Sequence, residues 1–389
     1  MRVVLKWMLR IGLALITAAV LVGFWKRDDI TRLLATNTLF DEDRIVSNFS
    51  NIDDLFLHRD IPKGETPISQ LPIGPEITMP DTYENWVQTR AVTSMLVLKD
   101  AEVVHEAYYR DTAPQDRRIG WSVTKSFMSA LFGILVDEGA IASLDDPVTA
   151  YAPKLVASAY DGASVRDVLQ MSSGIVFDED YLDFYSDINR MGRVIAFGGK
   201  MDDFTAGLTE RFSPPGERWQ YTSIDTHVVG MIARGATGRN IFDLMSEKLI
   251  TPLGFEREPV LLTDGIGVAF VLGGMSATTR DYARFGQMIL QNGQWQGAQI
   301  VPAAWIAEST AASARTQPGE IGYGYQWWIP VGAGPGQFMG RGIYGQYLYI
   351  DQGAGVVIVA TGADRQFRER GVNEININMF REIVAATQG

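Results

Sequence analysis

The sequence predicts a mixed α/β fold of the α+β type: an antiparallel sheet flanked by helices, with a mainly helical lobe inserted into it. Three observations carry that expectation. Strand-like apolar runs occur at 94–98 and 102–109, and again at 323–329, 346–351 and 355–361. Between them, residues 140–290 read mostly as helices and loops, and a helical pattern over 373–386 closes the chain. A lone strand pair cannot bury its apolar face, so strands from both ends of the region must meet across the insertion.

The first segment has its own signature. Arg2, Lys6 and Arg10 precede an unbroken apolar run over 11–25, which ends at Lys26-Arg27-Asp28-Asp29. Joined to the apolar residues at 3–5 and 7–9, the run reaches the roughly 20 residues needed to cross a bilayer. No small-x-small site follows it, as a cleaved leader would need. Residues 1–29 therefore read as an uncleaved signal anchor in the inner membrane, positive end inside. The remainder would be exported to the periplasmic or extracellular side.

Residues 30–89 are polar, with Pro62, Pro67, Pro72, Pro75 and Pro80 in quick succession, and read as an extended arm without regular structure. From residue 90 to 389 the chain reads as one domain. Its first two strands flank Lys99-Asp100-Ala101 as a hairpin. A helix follows from Val123: Phe127, Ala130, Leu131, Ile134 and Leu135 recur at helical spacing, and Gly139 stops it. Further helices are expected at 243–249 and 279–290.

Bulk properties remove several functions. The 389 residues are 46% hydrophobic and 21% charged, as in globular proteins. Net charge is −12 and no basic run exceeds Lys26-Arg27 or Arg117-Arg118, which argues against nucleic acid as a partner. With no cysteine there is no disulfide, thiolate nucleophile or Cys-ligated metal. The three histidines, His58, His105 and His227, are far apart and form no H-E-x-x-H pair. No metal and no organic cofactor is expected.

One short pattern carries chemistry. Ser122 stands at the start of the helix with Lys125 three residues later. Positions i and i+3 share a face, with Cβ atoms about 5–6 Å apart. The helix N-terminus favours a neutral amine over an ammonium and stabilises a nearby oxyanion. Serine is a weak nucleophile that needs such a base. Serine is also a common helix cap, and Ser-x-x-Lys alone arises by chance, so the surroundings must decide.

Trp121-Ser122-Val123-Thr124-Lys125 is followed in order by 165–175 (VRDVLQMSSGI), 212–223 (FSPPGERWQYTS), 273–286 (GGMSATTRDYARFG) and 322–328 (GYGYQWW). Over about 90–385 this set and its order resemble the serine β-lactamase-like hydrolases, the group that holds class C β-lactamases, D-amino-acid peptidases and 6-aminohexanoate-oligomer hydrolases. The resemblance implies a β-lactamase/transpeptidase-like fold. It makes Lys125 the base for Ser122, and Tyr221 a second proton carrier that protonates the leaving group. A lysine ammonium nearby would depress that phenol's pKa.

Two departures stand out. The family's K-T-G element has its best counterpart in Gly340-Arg341-Gly342-Ile343, without the lysine, and Ser223 stands where penicillin-binding members carry asparagine. Both point away from β-lactams and toward the esterase and amidase branches. Gly342-Ile343-Tyr344-Gly345-Gln346 is most similar to the 6-aminohexanoate-dimer hydrolases, which implies an oxyanion hole from the N–H groups of Ile343 and Ser122. Tyr181 resembles a tyrosine that contacts substrate in that branch. Trp121 is a candidate pocket wall, whereas Trp327 and Trp328 read as core and His227 as structural. The substrate would be a small amide or ester, hydrolysed through an acyl-enzyme. Two rival readings are a Ser-His-Asp hydrolase, which lacks its G-x-S-x-G elbow here, and a non-catalytic membrane-tethered binding or sensor module on the same fold.

Overall fold

The computed structural model describes residues 2–181 and 183–389. Its centre is a seven-stranded antiparallel sheet made of β1 (Val92–Lys99), β2 (Glu102–Tyr108), β3 (Gly322–Tyr323), β4 (Trp328–Ile329), β5 (Gln337–Gly342), β6 (Gln346–Asp351) and β7 (Val356–Gly362). The strands lie in the order β2-β1-β7-β6-β5-β4-β3. The last long strand therefore pairs with the first, Val357 opposite Leu98 and Val359 opposite Leu96. That pairing closes the two ends of the domain around the helical insertion.

Alternation explains why the central strands are apolar throughout. Met95 and Val97 face one layer, where Trp86 and Phe380 pack from the helices Tyr83–Thr89 and Val372–Ala386. Leu96 and Leu98 face the other, against Phe127 and Phe285 of the helices Thr124–Asp137 and Thr279–Leu290. A strand buried on both faces needs apolar residues at every position. The strand 346–351 and the helix 279–290 have the bounds that their sequence patterns give. The run at 323–329 is instead two short strands around a turn in which Gln326 takes φ +66°.

A second sheet of four short strands, ordered His58–Asp60, Val260–Leu262, Met275–Ala277, Arg118–Ile119, lies beside the helical lobe. Its last strand leads straight into Ser122.

The arm corrects the expectation of an extended segment over 30–89. Helices cover Arg27–Thr38, Ile45–Ser50 and Ile52–Leu55, and extended chain begins only near His58. Asp28 and Asp29 favour the first helix by facing its positive end. Ile45, Phe49 and Ile52 recur at helical spacing and are all buried. Buried Arg118 ties the arm down, donating to the Val46 carbonyl at 2.6 Å and to the Ser50 hydroxyl at 2.8 Å. Ahead of it, Arg2–Trp25 forms one 24-residue helix with no buried residue, long and apolar enough to cross a membrane.

Candidate active site

Ser122 sits in a single tight turn, Trp121–Val123, between the strand Arg118–Ile119 and the helix Thr124–Asp137. Trp121 has φ +45°, a left-handed conformation that costs a bulky residue about 1–3 kcal/mol unless its surroundings hold it. Phe49 and Phe40 hold it, with ring centres 5.5 and 5.8 Å away.

Lys125 Nζ lies 3.0 Å from Ser122 Oγ and also donates to the Leu272 carbonyl. The lysine is 1% exposed. Burial pulls its pKa from 10.5 down to about 7, against an opposing pull from Glu179. An amine with that pKa is substantially neutral near pH 7 and can take a proton from serine.

Tyr221 arrives from distant sequence. Its ring stacks on Trp328 at 4.8 Å, and Lys125 Nζ lies 5.5 Å from the ring centre. Burial raises the phenol's pKa, Glu179 adds to this, and a hydrogen bond with Ser122 and the charge of Arg341 oppose it. The expected depression by Lys125 is thus overturned. Desolvation of the phenolate outweighs the nearby cations, and Tyr221 stays a neutral phenol.

Gly342 ends β5 flush against the nucleophile's turn. A Cβ there would strike the Gly120 carbonyl oxygen and press on the Trp121 side chain, so only glycine lets the strand approach this closely. Ile343 follows at the cleft. Among the described residues, neither its N–H nor that of Ser122 enters a backbone hydrogen bond. Gln346, unremarked in the sequence beyond its place in the motif, fixes this loop by donating to the carbonyls of Tyr344 at 3.1 Å and Gly362 at 2.8 Å.

A family model described as Beta-lactamase matches residues 84–377. The chain belongs to the beta-lactamase family. It is 34% identical over 295 residues to the 6-aminohexanoate-dimer hydrolase of Paenarthrobacter ureafaciens, covering 72% of this chain and 74% of the relative. In structure it is similar to a Bacillus anthracis protein described as a candidate 6-aminohexanoate-dimer hydrolase, with a TM-score of 0.80, 22% identity and 90% and 96% of the two chains covered. A D-stereospecific amidohydrolase from Streptomyces sp. shares the fold at a TM-score of 0.53 and 19% identity, over 75% and 99% of the two chains. As a beta-lactamase-family member with these relatives, the protein is a hydrolase.

Tyr181 and Ser223 reach the cleft but act on a third residue, Glu179, which the sequence reading passed over. Glu179 accepts from the Tyr181 hydroxyl at 2.9 Å, the Ser223 hydroxyl at 3.2 Å and the Ser223 N–H. In the sequence it looks like one charge of the acidic run Asp178-Glu179-Asp180, hence solvated surface. The signal that marks it is its flanks, Phe177 and Tyr181, both packed inward. Burial raises its pKa, and Lys125 is the largest opposing influence.

Trp328 is buried in the core, as its sequence context suggests, and one side of it also lines the cleft, with Arg341 over its face at 4.1 Å. Trp327 is core, against Phe338 and Phe285. His227 lies apart, bonded to Asp202 at 2.8 Å. No cluster of three or more metal-ligating side chains occurs among the described residues.

The cleft has two lobes that meet at Ser122, Tyr181 and Ile343. The polar lobe, about 360 Å³, holds Tyr221, Glu179 and Arg341. The other, about 130 Å³, is lined by the arm, the helix Asp187–Ala196 and the 262–273 segment.

Proposed function

We propose that this protein hydrolyses a linear amide or ester of modest size through an acyl-enzyme on Ser122. The reading rests on one observation above the others: a buried amine with a pKa near 7 lies 3.0 Å from a serine hydroxyl at the mouth of a cleft. Neutral Lys125 takes the Ser122 proton as Oγ attacks the carbonyl carbon, and the carbonyl electrons move onto oxygen. The N–H groups of Ser122 and Ile343 are the donors for that oxyanion. The tetrahedral adduct collapses, the bond to the leaving amine or alcohol breaks, and Tyr221 gives the leaving group its proton. The Lys125 ammonium returns a proton to Tyr221. Water then repeats the attack on the acyl-serine, releasing acid and free enzyme.

The relative named a 6-aminohexanoate-dimer hydrolase acts, by its name, on a linear amide. The absence of the motif lysine, with Arg341 displaced from it by one place, and Ser223 in place of asparagine support the same branch. The helix Arg2–Trp25 serves as membrane anchor in this reading, with the domain exported and no metal or cofactor required.

Labelling by a fluorophosphonate, followed by intact mass, tests the assignment. The full chain in detergent gains one adduct, and Ser122→Ala gains none. An unlabelled wild-type chain, or a labelled Ser122→Ala, sinks it.

A further inference from the structure

The two lobes differ in a way that orders the substrate. Tyr221, the proton donor to the leaving group in the reading above, lines only the polar lobe. The leaving group therefore departs into that lobe, and the acyl chain attached to the carbonyl must extend into the other.

That second lobe has no charge to offer. Its wall includes Leu39 and Phe40 from the arm, Ile188, Met191 and Ile195 from one helix, and Phe270. No Asp, Glu, Lys, Arg or His among the described residues lines it. Several of its polar side chains donate to partners in the chain. Asn189 Nδ2 donates to the carbonyls of Tyr181 at 3.1 Å and Asp183 at 2.8 Å. Thr36 bonds the Arg32 carbonyl at 2.9 Å, and Tyr181 and Ser223 are held by Glu179. The indole N–H of Trp121 is buried without a partner, and as a donor it disfavours a cation. A cationic terminus placed here would lose its hydration with no counter-charge in return, and an anionic one would find no cation in the wall.

We infer that the acyl part of the substrate is an uncharged hydrocarbon chain, and that the apolar lobe is its binding site. This rests on the acyl-enzyme reading and adds to it the class of acyl group. The 6-aminohexanoyl group, which ends in an ammonium, fits this lobe poorly. The chain's own substrate then differs from that of the relative at its acyl end.

The test uses p-nitrophenyl esters, so that the leaving group is constant and only the acyl chain varies. Each buried methylene is worth up to about fourfold. We expect kcat/KM to rise at least about tenfold from acetyl to hexanoyl. The charge is isolated by an isosteric pair, 5,5-dimethylhexanoyl against 4-(trimethylammonio)butanoyl, with the neutral ester faster by about 30-fold or more. A Cβ at Gly192, a lobe residue in the helix Asp187–Ala196, meets nothing within 4 Å, so the backbone there accepts a side chain, and Gly192→Phe narrows the lobe. It should lower the hexanoyl-to-acetyl ratio about tenfold.

Equal rates for the isosteric pair, or a flat chain-length series, overturn the assignment while Ser122 acylation by the same esters, seen by mass, keeps the serine-hydrolase reading intact. Failure of every ester to acylate Ser122 removes both.

Discussion

The helix Thr124–Asp137 and the arm over 27–56 both meet the turn Trp121–Val123, yet they contribute different things. The helix brings the chemistry. Residues 124–135 are buried without interruption, and the tight turn Trp121–Val123 that leads into it carries Ser122 three residues ahead of Lys125, 3.0 Å from its amine. The arm brings the shape. Phe40 stacks on Tyr344 at 4.5 Å and Phe49 meets Trp121 edge-on, while Thr36, Leu39 and Phe40 wall the apolar lobe. Reactivity is thus set by local spacing, and the form of the pocket by a segment remote in the chain. A change in the helix should alter the reaction for all substrates, and a change in the arm should alter which substrates fit.

The largest effect expected is that of Lys125→Ala. It removes the base while leaving every side chain that lines the lobes in place, so kcat/KM for acetyl and hexanoyl esters should fall together, by about 10³-fold. Unchanged thermal unfolding would exclude a folding defect. A loss below about tenfold would take the lysine out of the mechanism and leave the helix no special part in the comparison.

The same division governs what the sequence reveals. Ser122 and Lys125 are legible because helix geometry converts a spacing of three into contact. The central sheet is legible because strands buried on both faces read as solid apolar runs, as in 346–351 and 355–361. Tyr221 came through the resemblance of its segment, and only the structure shows how it reaches Ser122. The arm misled because its prolines over 62–80 suggested extended chain, and the weaker spacing of Ile45, Phe49 and Ile52 lay among polar residues. Glu179 was hidden for a physical reason: a buried carboxylate and a solvated one look alike in sequence, and only its three donors, on Tyr181 and Ser223, set it apart. The pKa of Tyr221 was misjudged for a related reason. Proximity to a cation can be guessed from a motif, but the extent of desolvation cannot.

On the arm's side, Phe40→Ala removes the ring that stacks on Tyr344 and walls the lobe. Because the ring is half-buried, stability should drop by about 1–2 kcal/mol, less than for a fully buried phenylalanine, read from denaturant unfolding. kcat/KM for hexanoyl esters should fall by about tenfold, mainly through KM, and acetyl esters should lose less. An equal loss on both esters would mean that the arm positions the nucleophile's turn as well, and the two regions would no longer be separable.

The finest test lies where chemistry and shape touch, at Glu179. With Lys125 as base, kcat/KM should rise with pH as the ammonium loses its proton near pH 7, then level off. The Glu179 carboxylate favours the ammonium and so holds this limb higher than burial alone would. In Glu179→Gln the charge is gone, the ammonium is less favoured, and the acid limb should move to lower pH. The amide oxygen can still accept from the Tyr181 and Ser223 hydroxyls, which share one carboxylate oxygen, while the Ser223 N–H loses its acceptor. Below pH 7 the variant should therefore retain a larger fraction of its own plateau rate than the wild type does. A limb that stays put would separate Glu179 from the lysine and make it a positioning residue for Tyr181 and Ser223 alone. A limb that moves upward would mean that the group titrating near neutrality is not Lys125, because removal of a negative neighbour cannot raise an ammonium's pKa.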